Sequence, residues 1–254
     1  MKVLAAVAHA DDIEFNIAGT LLLLQKAGCE VHLWNLCNGS CGTMTHSREE
    51  IIRLRREEAA EAARMIGAAY HEPLFDDLAI FYDKPSLARV AAVIREIGPD
   101  VILTHPPSDY MEDHEAVSRL VVSAAFARGM PNFPTDPERP PVANDIRIYH
   151  AVPHGLRDGM ERPVTPQYYV NIAEVLPTKR AMLACHRTQK EWLDVSQGMD
   201  AYLDSMEALS AEIGAHSGRF AYAEGFLRHN HLGFCPAEHD PLPKLLGADC
   251  LKVE

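Results

Sequence analysis

No stretch of this 254-residue chain approaches the roughly 18 consecutive apolar residues that a membrane-spanning helix requires, so no membrane span is expected. Positive charge is also scarce. The 24 Lys and Arg stand against 36 Asp and Glu, a formal net charge of −12, and no run of basic residues forms a stripe. Such a surface repels phosphate backbones and excludes nucleic acid as a partner. The six cysteines, Cys29, Cys37, Cys41, Cys185, Cys235 and Cys250, lack the paired spacing of a zinc ribbon or a disulfide framework. Cys37 and Cys41 read C-x-x-x-C rather than C-x-x-C, which favours free thiols over a redox pair. In the opening MKVLAAVAHADD acidic residues follow the short apolar run at once and no cleavage site precedes them, so no signal peptide is read and a reducing cytoplasm is the expected setting. Internal repeats and low-complexity linkers are missing too.

What the chain has is alternation. Residues 2–8 form a near-continuous β-prone run, and 16–27 an amphipathic helix closed by Gly28. A second unit follows, with a strand at 30–36, a turn-rich loop at 38–42, and the capping box Ser47-x-x-Glu50 opening a helix that ends near Gly67. A weaker strand at 69–74, a helix at 85–97 with Pro85 in its first turn and Gly98 after its end, and the apolar strand 100–104 continue the order. Residues 112–128 read as a helix, 146–152 and 168–172 as strands, and 174–195 and 199–213 as helices. Between them, 131–141 holds five prolines, which only a surface loop tolerates. Strands that alternate with helices predict a doubly wound, mainly parallel sheet with helices on both faces, a three-layer α/β/α architecture. The simplest division is one domain over 1–227 and a C-terminal extension over 228–254, where no clear period is visible.

Ligands of such sheets bind beyond the carboxyl ends of the strands, which directs attention to the loops after Ala8, Leu36 and Thr104. The first reads His9-Ala10-Asp11-Asp12-Ile13-Glu14 just before a helix. Adjacent carboxylates leave a turn in different directions, so one can bind a metal with His9 while the other stays free to accept a proton. This loop lacks the glycines of a phosphate cradle, and its three carboxylates would repel a phosphate, which argues against a nucleotide-binding module. The last of the three runs through His105 to Asp109-Tyr110-Met111-Glu112-Asp113-His114. His114 approaches the first loop if the two strands are neighbours. His9, Asp12 and His114 then leave one zinc position for water, the open coordination of a catalytic site. The competing reading of both loops is a helix cap, in which Asp stabilises a first turn by about 0.5–2 kcal/mol without chemistry.

AHADDIE and DYMEDH resemble the two signature motifs of the LmbE-like (PIG-L) family of zinc-dependent deacetylases, whose typical members read AHPDDxE and HPDH. The resemblance extends to Arg55-x-x-Glu58, His186-x-x-Gln189 and Tyr222-Ala223-Glu224-Gly225-Phe226, nearly the whole chain before its tail. It implies a Rossmann-like fold and removal of the acetyl group from an N-acetylglucosamine-type amino sugar or its glycoside. Family substrates include precursors of glycolipid anchors and of low-molecular-weight thiols. Position by position, the resemblance implies His9, Asp12 and His114 as ligands of zinc, with another divalent metal as the alternative. Asp11 is implied as the general base and Asp113 as a supporting catalytic carboxylate. Arg55 and His186 become candidate substrate-binding residues, and a homo-oligomer, a trimer or hexamer, is implied. A carboxylate beside a dication keeps a low pKa, so Asp11 is expected to be ionised at pH 7.

Two positions depart from the family pattern. Ala10 replaces Pro, where only backbone shape is needed. Met111 stands where the family has a His that stabilises the oxyanion or protonates the leaving amine, and a thioether donates no hydrogen bond. Losing such a donor typically costs about 10²–10³ in turnover. The candidates to replace it are His105, His154, which is also a substrate-binding candidate, and His186. Without a replacement, Met111 marks a weakened zinc-binding protein. The alternative substrate is a larger amide, such as a thiol conjugate. The His-rich tail around His229, His231 and His239 has a spacing that fits no nameable metal site.

Overall fold

The structure is a computed structural model that describes residues 1–197 and 202–253. Its strands are β1 (Lys2–Val7), β2 (Glu30–Asn35), β3 (Ala69–His71), β4 (Val101–Thr104), β5 (Arg147–Ala151), β6 (Tyr168–Asn171), β7 (Ala223–Arg228) and β8 (Cys250–Lys252). The helices are α1 (Asp12–Asn16), α2 (Ala18–Lys26), α3 (Arg48–Met65), α4 (Lys84–Ile97), α5 (Glu112–Ala127), α6 (Leu176–Leu183), α7 (Arg187–Gln197), α8 (Tyr202–His216) and α9 (Pro241–Leu246). One sheet runs in the order β3-β2-β1-β4-β5-β7-β6-β8. Its first five strands are parallel. The other side is antiparallel, β7 pairing with both β5 and β6 and β8 with β6. This is the three-layer α/β/α architecture the alternation predicts.

A central strand covered on both faces needs apolar residues in both pleat positions, and β1 supplies them. Val3, Ala5 and Val7 face one buried cluster with residues of α2, α6 and α8, while Leu4 and Ala6 face the other, built with α4 and α5. Ala5 is registered with Leu33 of β2 and with Leu103 of β4. The chain therefore leaves β1 and β4 side by side, and the two ligand-rich loops open over the same edge.

Local signals set several boundaries. The Ser47 hydroxyl accepts the Glu50 N–H at 3.3 Å at the start of α3, Asp83 accepts the Ser86 N–H at 2.8 Å at the start of α4, and Gly98 ends α4 in the left-handed region at φ 59°. Elsewhere tertiary contacts redraw the boundaries. The helix read at 16–27 breaks at Ile17, so that α1 forms a separate short turn directly after the His9 loop. The strand read at 69–74 shortens to β3. The helix read over 174–195 breaks at 184–186, because buried Glu58 of α3 takes the backbone N–H and hydroxyl of Thr188 (3.2 and 2.7 Å) and fixes where α7 starts. Of the helix read at 199–213, residues 199–201 lie outside the described residues and the remainder belongs to α8.

Residues 229–253 return to the sheet. Buried Arg147 donates to the carbonyls of His229, Pro236, Ala237 and His239, the hydroxyls of Tyr149 and Tyr168 donate to Asp240 at 2.5 and 2.7 Å, and β8 forms the far edge. The proline-rich 131–141 segment lies on the surface, and no helix among the described residues is long and apolar enough to cross a membrane. Of the tail histidines, His229 packs its side chain against the sheet. His229 Nδ1 lies 2.9 Å from Nε2 of His150, whose Nδ1 donates to the His105 carbonyl at 2.6 Å.

Burial of His150 drives its pKa from 6.5 down to about 4. The unfolded chain takes up this proton at a higher pH than the folded one, so stability falls as pH drops from about 6.5 towards 4, by at most about 3 kcal/mol from this group. Urea unfolding at pH 7 and pH 4.5 should show a smaller acid loss in His150→Gln than in the wild type.

Candidate active site

Directly after β1, Asp11 adopts a left-handed backbone with φ 107°, a conformation that costs a residue with a Cβ of order 1–3 kcal/mol. It occupies the position before α1, yet its side chain makes no cap hydrogen bond. Instead it accepts the Tyr202 hydroxyl at 2.6 Å. Asp12 turns the other way. Its Oδ2 accepts the His9 backbone N–H at 2.7 Å and lies 3.2 Å from His105 Nε2, while its Oδ1 lies 3.5 Å from His114 Nε2. The strained turn thus separates the two neighbouring carboxylates, as the sequence reading required.

Each candidate imidazole ligand is fixed from behind by another carboxylate. His9 Nε2 is 3.0 Å from Asp113, which also accepts the Leu78 N–H at 2.9 Å, and His114 Nδ1 is 3.0 Å from Asp109. One ligand atom each from His9, Asp12 and His114 falls within a 4.8 Å cluster. Buried His114 Nε2 has no hydrogen-bond partner, which is the state of a nitrogen kept for a metal. Two imidazoles and one carboxylate, with the far ring nitrogens held by carboxylates, fit a divalent ion of the zinc type. His105 joins one further grouping, with Asp109 and His114, less well, because its Nε2 already accepts the Ala8 N–H at 2.9 Å.

Electrostatics separate the two aspartates. Burial penalises charge on His9, but hydrogen bonds to Asp113 and Asp12 outweigh it and push the ring up to about 10. Against the same burial, the Asp12 charge and the Asp109 bond raise His114 to about 9. Although burial opposes it, Asp12 is held well below the usual carboxylate range by His114 and His105. Asp11 behaves differently from the low value expected beside a dication: in the protein alone, burial and the Asp12 charge push it up to about 6.

These groups floor a cavity of about 540 Å³ whose walls include Phe15, Tyr110, Met111, His154 and Trp192. Arg55 also lines it. Its Nη2 donates to the Gly42 carbonyl at 2.7 Å, its buried Nε has no partner, and its stem runs so close under the 39–42 loop that a Cβ at Gly39 (φ 78°) would collide with it. His186 is placed elsewhere. It is buried behind this wall, 3.2 Å from Glu14, and does not line the cavity. The sequence reading missed Asp109 and Tyr202. Asp109 was visible as an acidic residue five positions before His114, whereas nothing local marks Tyr202.

The family model described as PIG-L, GlcNAc-PI de-N-acetylase, matches residues 4–125, a span that contains His9, Asp11, Asp12 and His114. Over those residues the chain matches the PIG-L family. Beyond the PIG-L segment, the similarity to individual proteins is longer. Diacetylchitobiose deacetylase of Thermococcus kodakarensis is 28% identical over 247 residues, 94% of this chain and 87% of the relative. The 4-oxalmesaconate hydratase of Pseudomonas putida is 28% identical over 195 residues, 74% of this chain and 73% of that protein. The structure of N,N'-diacetylchitobiose deacetylase from Pyrococcus horikoshii shares the fold, with a TM-score of 0.76 at 22% identity over 95% of this chain and 88% of that one.

If Asp109 holds His114 in the ligating orientation, Asp109→Asn weakens divalent-metal binding by about 10–100-fold and His114→Ala weakens it further. Competition against a chromophoric chelator measures both.

Proposed function

We propose that the chain is a metal-dependent hydrolase that removes the N-acetyl group of an N-acetylglucosamine-type amino sugar or its glycoside. The observation that carries this reading is the cluster of His9, Asp12 and His114 beside a second carboxylate, Asp11, at the floor of one cavity. The diacetylchitobiose deacetylase relative supports the choice of an acetylated sugar. His9, Asp12 and His114 would hold the ion, zinc in this reading. A divalent ion bound there supplies a Lewis acid that polarises both a water and a carbonyl oxygen.

The chain's own residues do the rest. Asp11 accepts a proton from the attacking water, and the Tyr202 hydroxyl, 2.6 Å away, holds the carboxylate in position. The second oxygen of Asp11 stays available to the cavity. Asp113 and Asp109 keep the two ligand rings in one tautomer and one orientation. Phe15 and Trp192 offer apolar faces to a sugar ring, and Arg55 with Gln189 offers polar groups along the same wall. Residues outside the PIG-L segment, His154, Gln189 and Trp192 among them, would then set which acetylated compound is taken. We include in this reading the cytoplasmic setting and the trimer or hexamer expected from the sequence.

A second reading, a hydratase adding water to a conjugated carbon–carbon double bond, is favoured by one observation: the 4-oxalmesaconate hydratase relative is as identical as the deacetylase. Both reactions begin with a base taking a proton from water. Acetate release from N-acetylglucosamine, its oligomers and its glycosides by zinc-loaded protein is the expected result, lowered about 10²–10⁴-fold in Asp11→Asn with zinc retained. Loss of conjugated-enoate absorbance without acetate release would assign the hydratase reading instead.

A further inference from the structure

An amide breaks only when its nitrogen leaves with a proton, so a base alone does not complete the reaction. Asp11 serves as the base under the proposed function, on which this inference rests. Met111 lines the cavity with a thioether that donates nothing. Three of the four imidazoles on the cavity wall are engaged: His9 with Asp113 and Asp12, His114 with Asp109 and Asp12, and His105 with the Ala8 N–H. His186 lies behind the wall beside Glu14.

His154 differs from all of these. It stands on the turn that follows β5, between Pro153, which fixes the backbone before it, and Gly155, whose φ of 71° suits a residue without a Cβ. Its ring meets the edges of Phe15 and Tyr110, at centroid separations of 5.8 and 6.5 Å, and Tyr110 in turn lies 5.4 Å from the His114 ring. Among the described residues neither nitrogen of His154 has a hydrogen-bond partner. The cavity therefore holds one imidazole whose donor is uncommitted, on the wall beside Phe15 and Tyr110.

We propose that His154, entering the reaction as the protonated imidazolium, is the catalytic acid, donating a proton to the departing amine in the role that Met111 cannot fill. As the water oxygen bonds to the carbonyl carbon, one water proton passes to Asp11. The carbon–nitrogen bond then breaks as His154 protonates the nitrogen, giving the amine and a carboxylic acid that ionises. The proton held by Asp11 returns through solvent to His154. One water is consumed and both residues regain their starting states.

The test measures kcat and KM of zinc-loaded wild type, His154→Ala and His154→Gln on N-acetylglucosamine and its dimer, with zinc content checked, alongside p-nitrophenyl acetate, whose leaving group needs no proton. The expected result is a kcat on amides about 10²–10⁴-fold lower in both variants, KM changed less than about threefold, the ester rate nearly unchanged, and partial rescue of His154→Ala by added imidazole. Recovery by Gln, or an equal loss on amide and ester, would overturn proton donation in favour of a hydrogen-bonding or structural role. A second readout needs no turnover: in Asp11→Asn, the His154 ring proton resonance, assigned by its absence in the double variant with His154→Gln, shifts on adding N-acetylglucosamine. An unmoved resonance overturns the proposal. Full amide activity in His154→Ala overturns this inference alone, whereas a wild type that releases acetate from no amide overturns the proposed function and the inference together.

Discussion

The carboxylate of Asp12 is the joint on which the site depends. It receives the backbone N–H of His9 from its own loop and faces His105 and His114 from the neighbouring loop and helix. Buried charge without partners is expensive. A carboxylate in this position is therefore tolerated only where cationic or metal-binding groups from both loops converge on it. That requirement fixes β1 beside β4, because only adjacent parallel strands deliver both loops to one edge of the sheet. The same logic extends outward, since Asp113 and Asp109 each secure a ring that Asp12 faces.

A second buried ion pair holds the other wall. Lys179 of α6, with no exposed surface, bonds Glu224 of β7 at 2.7 Å and the Phe15 carbonyl at 3.0 Å. Glu224 also accepts the N–H groups of Gly19 and Thr20 at the start of α2. Parallel and antiparallel halves of the sheet are thus tied through α2 and α6, directly behind α1. Gly19 is small for a reason, because a Cβ there would press into Ile172. Glu58 does similar work between α3 and α7. The motifs around Arg55 and Tyr222 therefore owe at least one residue each to tethering rather than to the cavity.

Asp11 shows how strain and electrostatics combine. Its left-handed backbone turns the carboxylate away from Asp12 and towards Tyr202, so the two neighbouring charges are separated instead of sharing one environment. Burial beside a like charge still raises Asp11 while Asp12 is lowered by imidazoles. Two adjacent residues of one type thereby acquire different proton affinities, the condition for giving them different tasks.

Much of this was legible in the sequence, because it is local. Alternating apolar runs, the Ser47 cap, Gly98 and the His-x-Asp-Asp turn all act through neighbours a few positions apart, and they determined the architecture and the residues His9, Asp11, Asp12, Asp113 and His114. Tertiary structure alone decided what no short spacing records. Tyr202 reaches Asp11 from 191 residues away, the 174–195 helix breaks because Glu58 claims Thr188, and the histidines that looked equivalent in sequence divide into one on the cavity wall tied to the Ala8 N–H, one behind that wall and one on it with no partner among the described residues. Side-chain type is written in the chain, but which partner satisfies each buried polar group is settled only when distant segments pack together and exclude water.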